Sequence, residues 1–214
     1  DIAELIDWGH PLEWLDKEIS QVLGESGTRN QQVDLLVRVR LLTGEMRWIL
    51  LHIEVQTSYE RDFAERIARY NAGLFWTFRE RVVSLVVLAD LKADWQPDEC
   101  VFEFGRFQSR LQYPVCKLVE RLDTDWLDDI SLPVQVARAQ IEALRTSGSA
   151  EGRFEAKWRF VRNLYDMGYT PRQMRQVFRL IDWMMHLRPD LETELEQRLT
   201  NLEEERKMAY VTSV

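Results

Sequence analysis

The sequence predicts an α/β protein in which a mixed sheet flanked by helices is followed by a helical C-terminal region. In the first half of the 214-residue chain, apolar and polar residues alternate as in strands, and one stretch of helical spacing interrupts them. The near-continuous apolar run at 82–88 is typical of a strand buried on both faces. The second half carries helix-start signals instead. These observations predict a sheet-based core over residues 1–120 and a helical region over 121–214, packed on that core or extending it.

The first three strands are predicted from alternation and from turn chemistry. A short helical segment, a Gly-His-Pro break and a further turn occupy residues 1–17, and residues 18–23 then alternate as a strand. The polar, glycine-containing stretch 24–30 is typical of an antiparallel connection. It leads into a second strand over 33–42, and a turn separates that strand from a third over 47–56.

A helix is expected directly after the third strand. Thr57 and Glu60 have the spacing of a capping box, in which each side chain accepts a hydrogen bond from the backbone of the other residue. Apolar residues at helical spacing carry this helix to about Arg79. The pattern then predicts the buried strand, a hairpin and a further extended segment, at 82–88, at 101–104 with 110–113, and at 115–118.

The C-terminal region is predicted to contain four helices. The clearest start signal is a capping box of Thr170 and Gln173 with Pro171 at the first helical position. The acidic run from Glu203 to Glu205 is predicted to be a solvated face. The first helix begins at 132–133 and ends near 146–149, the second covers about 153–167, the third begins at 170, and the fourth runs from 189 into 203–207.

Composition limits the class of function. A net charge of −8 and a pI of about 5.1 argue against a protein that coats DNA through a broad basic surface, so any DNA contact is expected to be local. No apolar run has the length of a membrane span. Cys100 and Cys116 fit no metal-ligand spacing and are predicted to be free thiols in the cytoplasm, with a disulfide between strands as the alternative. Because the chain starts at Asp1 rather than Met, we expect that a natural N-terminal segment is missing.

Two acidic residues lie on neighbouring predicted strands, Asp34 on the second and Glu54 on the third. Gln56 shares the face of Glu54, because successive side chains of a strand point to opposite faces. Carboxylates that converge at the rim of a sheet supply the oxygen ligands that a divalent cation requires, and Glu18 on the first strand is a third candidate. The alternative for Asp34 is an acid that caps a hairpin or pairs with an arginine. The pattern resembles the Asp, Glu-x-Lys metal site of the PD-(D/E)XK nucleases, which implies metal-dependent cleavage of a phosphodiester.

The helix after the third strand contributes further candidates. Arg66 and Tyr70 are four residues apart and share one helix face. They either contact the scissile phosphate and orient water, or brace the helix against the sheet and pair with the two acids. Gln56 stands where a lysine would position and activate the attacking water, and whether Arg66 or Arg69 replaces the missing charge stays open. His52 shares the face of the acidic residues and is predicted to be hydrogen-bonded rather than a metal ligand.

The stretch VDLLVRV…WILLHIEVQTSYERDFAERIARYNAGLF resembles the recombination-promoting nuclease (Rpn) family, which belongs to the PD-(D/E)XK superfamily. The shared pattern is an Asp on one strand, Glu-x-Gln on the next, and a helix with Arg and Tyr four residues apart. The flanks at 14–18 and 207–213 are similar to FLDKE-type and KMxYVTS-type segments of a bacterial and cyanobacterial branch that is often labelled transposase. The resemblance covers nearly the whole chain. In that branch a helical segment precedes the position of Asp1, so we expect a chain trimmed at both ends.

The resemblance implies a restriction-endonuclease-like core and a Mg²⁺-dependent DNA endonuclease that also accepts Mn²⁺. Asp34 and Glu54 would hold the metal with the backbone carbonyl of Val55, and Gln56, the usual residue of the family at this place, would position water. Arg66 is the best cationic candidate. The implied role is DNA recombination, transposition or genome defence in a bacterial cytoplasm. The helical region would form a homodimer or DNA-docking face.

Two other interpretations remain. In the first, the protein keeps the nuclease fold but acts as a DNA- or protein-binding module, which the missing lysine and the acidic composition favour. In the second, the acids are structural, with Asp34 and Glu54 paired to Arg38 and Arg66. Metal-dependent stabilisation would argue against the second, because only a native metal site gains free energy from the ion.

Overall fold

The computed structural model of the chain describes residues 2–15, 34–42 and 48–206. The chain divides into two compact units. We call residues 1–88 with 92–117 the sheet unit, and residues 89–91 with 118–214 the helical unit. The prediction of an α/β protein with a mixed sheet, helices beside it and a helical C-terminal region is confirmed. None of the described helices has both the length and the apolar character needed to cross a membrane.

Within the described residues, the sheet unit is built on a five-stranded sheet in the order β1-β2-β3-β4-β7. The β1–β2 and β2–β3 pairs are antiparallel, whereas β3–β4 and β4–β7 are parallel. Helix α2 connects the parallel strands β3 and β4, as a parallel crossover requires. The bounds are α1 Ile2–Leu5, β1 Glu13–Trp14, β2 Leu35–Arg40, β3 Trp48–Gln56, α2 Phe63–Phe78, β4 Val82–Leu88, β5 Glu99–Phe104, β6 Phe107–Gln112 and β7 Val115–Lys117.

Two local predictions in this unit are wrong. Glu13 and Trp14 form the edge strand β1 rather than a turn. Helix α2 begins at Phe63 with Asp62 at its N-cap, so Thr57 and Glu60 precede the helix and form no capping box. The carboxylate of Glu60 instead faces an arginine of α2, as described below. The strand expected at 18–23, including Glu18, and the loop expected at 24–30 lie outside the described residues.

The core of the sheet unit lies on both faces of the sheet. On one face, Leu36 of β2 and Leu50 of β3 pack with Leu74 of α2, and all three are fully buried. Each such side chain contributes about 1.5–3 kcal/mol of burial free energy. The opposite face buries Val37 and Val39 of β2 in a second cluster. Alternation along β3 therefore directs every second side chain toward α2, and this is the face on which the polar candidates lie.

The hairpin β5–β6 is confirmed, and it forms a separate two-stranded sheet. Gly105 at its turn has a φ of 60°, a left-handed conformation that glycine adopts without steric cost. Cys100 of β5 and Cys116 of β7 form no disulfide.

Within the described residues, the helical unit contains the four predicted helices and one short helix that was not predicted. Its core includes Leu164 and Ile181, both completely buried. The predicted capping box of Thr170 and Gln173 is confirmed. The prediction for the acidic run is wrong at Glu203, which is only 3% exposed and accepts a hydrogen bond from a tyrosine. The helices are α3 Leu118–Asp123, α4 Leu132–Arg145, α5 Ala150–Asp166, α6 Pro171–Met184 and α7 Pro189–Arg206.

Candidate functional site

The register of β2 and β3 brings the two predicted acids together. Leu35 pairs with Ile53, so Asp34 lies opposite Glu54 one residue farther along the two strands. The Asp34 carboxylate accepts a hydrogen bond of 2.7 Å from the backbone N–H of Val55. Burial raises the pKa of Asp34, and the negative charge of Glu54 raises it further, while the bond from Val55 opposes both effects. The two carboxylates are thus close enough to repel each other.

Glu54 is the buried acid of the pair, with only 2% of its surface exposed. Its Oε1 lies 3.0 Å from Nη1 of Arg66, and its Oε2 lies 3.4 Å from Nε2 of His52. No hydrogen bond of good geometry reaches Oε2 from the described residues. A buried carboxylate is strongly destabilising unless it is paired, so the arginine is the main reason that Glu54 is tolerated here.

Arg66 connects the acids to Gln56. Its Nη2 donates to the Gln56 side-chain oxygen at 2.8 Å and lies 3.2 Å from the Glu60 carboxylate. The Gln56 amide nitrogen donates to the Ser58 carbonyl at 2.8 Å, which orients the amide. The Arg66 guanidinium also stands over the Phe63 ring, 5.1 Å from its centroid. The arginine thus sits at the centre of the polar site and fixes Gln56.

Tyr70, one turn farther along α2, is 2% exposed. Its hydroxyl makes no hydrogen bond of good geometry within the described residues, and its ring packs edge-on against His52 at 5.8 Å. Burial raises the pKa of Tyr70, and the negative charge of Glu54 raises it further. The hydroxyl therefore keeps its proton at neutral pH and is a potential donor.

Some candidates lie elsewhere. Arg38 does not pair with the acids of the site; it binds Glu13 at 2.6 Å and Glu80 at 2.8 Å, so that part of the structural interpretation is wrong. Arg69 is exposed, and no contact with the site is seen among the described residues. Glu18 lies outside them.

Three residues of the site were missed as such by the sequence analysis. Glu60 was interpreted as a helix cap. Ser84 of β4 and Asn71 of α2 lie behind His52: Ser84 Oγ is 3.0 Å from His52 Nδ1 and accepts a 3.0 Å hydrogen bond from the Asn71 amide. A usable signal was present, because Ser84 is the one polar residue in the apolar run 82–88. A polar residue in a strand buried on both faces needs a partner.

The donor set is compatible with one divalent cation. Among the described ranges, no cluster of three or more His, Cys, Asp or Glu side chains has the arrangement of a metal site. Two carboxylates nevertheless face each other, and a fully buried oxygen of Glu54 has no hydrogen bond from any described residue. A cation between them would relieve the repulsion that raises the pKa of Asp34. Each carboxylate offers about four lone-pair directions, so its present contacts leave room for a metal.

The fold and the site define a class: an α/β protein with one carboxylate just before a strand, a second carboxylate opposite it on the neighbouring strand, and an arginine–glutamine pair beside them. Comparisons of the chain with protein-family models, with curated proteins and with solved structures find no match. The resemblance to the Rpn family therefore remains a prediction from the motif.

Proposed function

We propose that this protein is a metal-dependent DNA endonuclease of the PD-(D/E)XK type, related to the Rpn family and serving recombination, transposition or genome defence. One observation carries the proposal: Asp34, immediately before β2, lies opposite Glu54 of β3, and Glu54 is buried beside Arg66 with one oxygen that has no hydrogen bond within the described residues. A merely structural carboxylate is normally fully hydrogen-bonded or exposed. Such a pair is suited to a hard divalent cation.

Asp34, Glu54 and the backbone carbonyl of Val55 are the groups that would hold Mg²⁺, or Mn²⁺ in its place. The ion, when bound, supplies Lewis acidity toward a phosphate oxygen. A metal held by the two carboxylates would also allow an acidic protein to bind DNA. The ion offsets their negative charge locally, so no broad basic surface is required.

The chain's own residues position the reactants. Gln56, held by Arg66 and Ser58, orients a water molecule through its amide. Arg66 places a permanent positive charge beside the site and stabilises the charge that develops on the phosphate. Tyr70 keeps its proton, so its hydroxyl is available to donate a hydrogen bond to a ligand near Glu54. A homodimer in the bacterial cytoplasm would bring two such sites to the two strands of a duplex.

The proposal is tested with supercoiled plasmid and Mg²⁺ or Mn²⁺. The wild type is expected to nick the plasmid, whereas Asp34→Ala and Glu54→Ala are expected to lose activity while remaining folded by circular dichroism. Glu103→Ala, which removes an exposed acid of the hairpin, is the matched control and should nick like the wild type. Absence of cleavage with either metal, or equal cleavage by the site variants, would contradict the proposal.

A second candidate is a DNA- or protein-binding module without catalysis. The ion pair between Arg66 and Glu54 favours it, because this guanidinium already neutralises the buried acid. If this candidate is correct, Arg66→Ala weakens partner binding and Asp34→Ala does not. Fluorescence anisotropy with labelled duplex DNA, with and without Mn²⁺, measures both.

A further inference from the structure

His52 lies behind the proposed metal ligand Glu54, at the end of a chain of buried polar groups. The chain runs from Asn71 through Ser84 to His52, and its last ring nitrogen faces the carboxylate of Glu54. His52 is 0% exposed and Ser84 is 3% exposed. Buried polar groups in a row constrain one another's donor and acceptor roles, so the direction of each hydrogen bond can be derived.

The direction is set at Asn71. Its side-chain nitrogen lies 3.2 Å from the Val82 carbonyl oxygen and 3.0 Å from Ser84 Oγ. A carbonyl oxygen only accepts, so the amide NH₂ must stand at this place, and it donates to Ser84 as well. In the part of the chain that the structure describes, the Ser84 hydroxyl then has one proton to donate and one neighbour to receive it, Nδ1 of His52 at 3.0 Å.

This assignment fixes the tautomer of His52. A neutral imidazole whose Nδ1 accepts must carry its proton on Nε2. Nε2 lies 3.4 Å from Oε2 of Glu54, and neither atom has another hydrogen-bond partner among the described residues. Hydrogen bonds in active sites are often long before ligands bind and shorten in the complex.

We propose that His52 is a positioning residue: its Nε2–H, directed by Ser84 and Asn71, holds Oε2 of Glu54 so that the carboxylate presents its remaining lone pairs to a divalent cation. Arg66 fixes the other oxygen from α2. The carboxylate is thus clamped from two elements, which is how residues behind a metal ligand orient it and tune its affinity. This inference rests on the proposed function.

Two substitutions of His52 separate the effect of its Nε2–H donor from the effect of losing the packing of its ring. His52→Gln places an amide nitrogen near the position of Nε2, whereas His52→Asn reaches only the Nδ1 side and Ser84. The measurement is the Kd for Mn²⁺ by titration calorimetry. We expect His52→Asn to weaken binding about 10-fold and His52→Gln to stay within about 3-fold of the wild type. His10→Asn, which changes a histidine outside the site, is the matched control.

Ser84→Ala is a second variant, at a side chain that contacts His52 and Asn71 and is not a proposed metal ligand. It removes the proton donated to Nδ1, so His52 is free to move its own proton to Nδ1 and lose its contact with Glu54. We expect weaker Mn²⁺ binding here too. Nitrogen-15 NMR of the three histidines reports the tautomer directly, with protonated Nε2 expected for His52 in the wild type and a shift toward protonated Nδ1 in Ser84→Ala.

The outcomes are distinct. A wild-type His52 protonated on Nδ1 overturns the inference. So does a His52→Gln variant as weak as His52→Asn, or a His52→Asn variant that binds Mn²⁺ as the wild type does. If the wild type itself binds no Mn²⁺ and Asp34→Ala behaves identically, the proposed function fails and the role of His52 fails with it.

Discussion

The two units of the protein differ in how their buried polar groups are paired. In the helical unit, the completely buried Lys157 binds Asp182 at 2.7 Å, and Tyr165 donates to the buried Glu203 at 2.6 Å. In the sheet unit, one buried polar atom in each of four neighbouring side chains has no hydrogen bond within the described residues, namely in His52, Glu54, Arg66 and Tyr70. In the described part of the helical unit, the Nε atoms of Arg138 and Arg153 also lack a hydrogen bond, but both guanidinium groups donate to backbone carbonyls through their Nη atoms. Satisfied pairs are what stability alone would select.

The difference indicates what each set of residues is for. Unsatisfied buried groups cost free energy, so a cluster of them persists where it serves something other than the fold. The pairs of the helical unit hold helices together. The group around Glu54 is prepared for a ligand that the chain alone does not supply, which is the physical content of the nuclease proposal.

The largest expected effect is on catalysis. Asp34→Asn keeps an oxygen that accepts from Val55 but removes the charge needed for the metal. We expect nicking to fall about 1000-fold, which corresponds to about 4 kcal/mol of transition-state stabilisation. Rates of plasmid nicking at saturating Mn²⁺ measure it. If Asp34→Asn nicks at the wild-type rate, the unsatisfied polar groups around Glu54 do not mark a metal site.

The next effect concerns the ion pair of the helical unit. Asp182→Asn leaves the buried ammonium of Lys157 without a counter-charge, so we expect a loss of about 2 kcal/mol in the free energy of unfolding. Lys157→Met replaces the ammonium with an apolar side chain of similar length, and the loss should be under about 1 kcal/mol. Urea denaturation compares them. Nicking should be unchanged in both, and a reversed order of stability would contradict the interpretation of this pair.

Two tyrosines provide a matched comparison between the units. Tyr165→Phe removes the donor to buried Glu203 and should cost about 1.5 kcal/mol, because a bond to a charged group is lost. Tyr70→Phe removes a hydroxyl that makes no hydrogen bond of good geometry within the described residues, so stability should not fall, whereas nicking should fall about 10-fold. Thermal melting and nicking assays separate the two. Equal destabilisation by both substitutions would mean that the Tyr70 hydroxyl is satisfied after all.

The smallest effect is the pH dependence of stability. The folded state raises the pKa of Asp34, so the folded protein resists its ionisation. The contribution of Asp34 to the free energy of unfolding therefore falls as pH rises from its unfolded-state pKa through its folded-state pKa. Above that window this contribution is constant. Asp34→Asn has no such loss. The Tm of Asp34→Asn should exceed that of the wild type at pH 7 and equal it at pH values well below the window. A Tm of Asp34→Asn that stays higher in acid would contradict a raised pKa of Asp34 as the cause.

Much of the fold could be predicted from the sequence because the signals were strong and local. The apolar run predicted β4 with its observed bounds, Val82–Leu88, and the Thr170 capping box predicted the start of α6. The start of α2 was misplaced because Thr57 and Glu60 satisfy the spacing of a cap by chance. Glu60 is held by Arg66, and tertiary contacts of this kind leave no local signature.

The candidate site was predictable in part. Alternation placed Glu54 and Gln56 on one face, and that arrangement is observed. The exact register that sets Asp34 opposite Glu54, and the link from Ser84 to His52, depend on how separate strands pair with one another. Sequence spacing within one strand carries no information about its neighbours.

The most direct test of the central claim is a crystal soaked in Mn²⁺ and measured at the manganese absorption edge. We expect one anomalous peak within coordination distance of both the Asp34 and Glu54 carboxylates, and no such peak in Asp34→Asn. A wild-type crystal with no peak at these residues, in which Arg66 remains the only cation bound to Glu54, would contradict it.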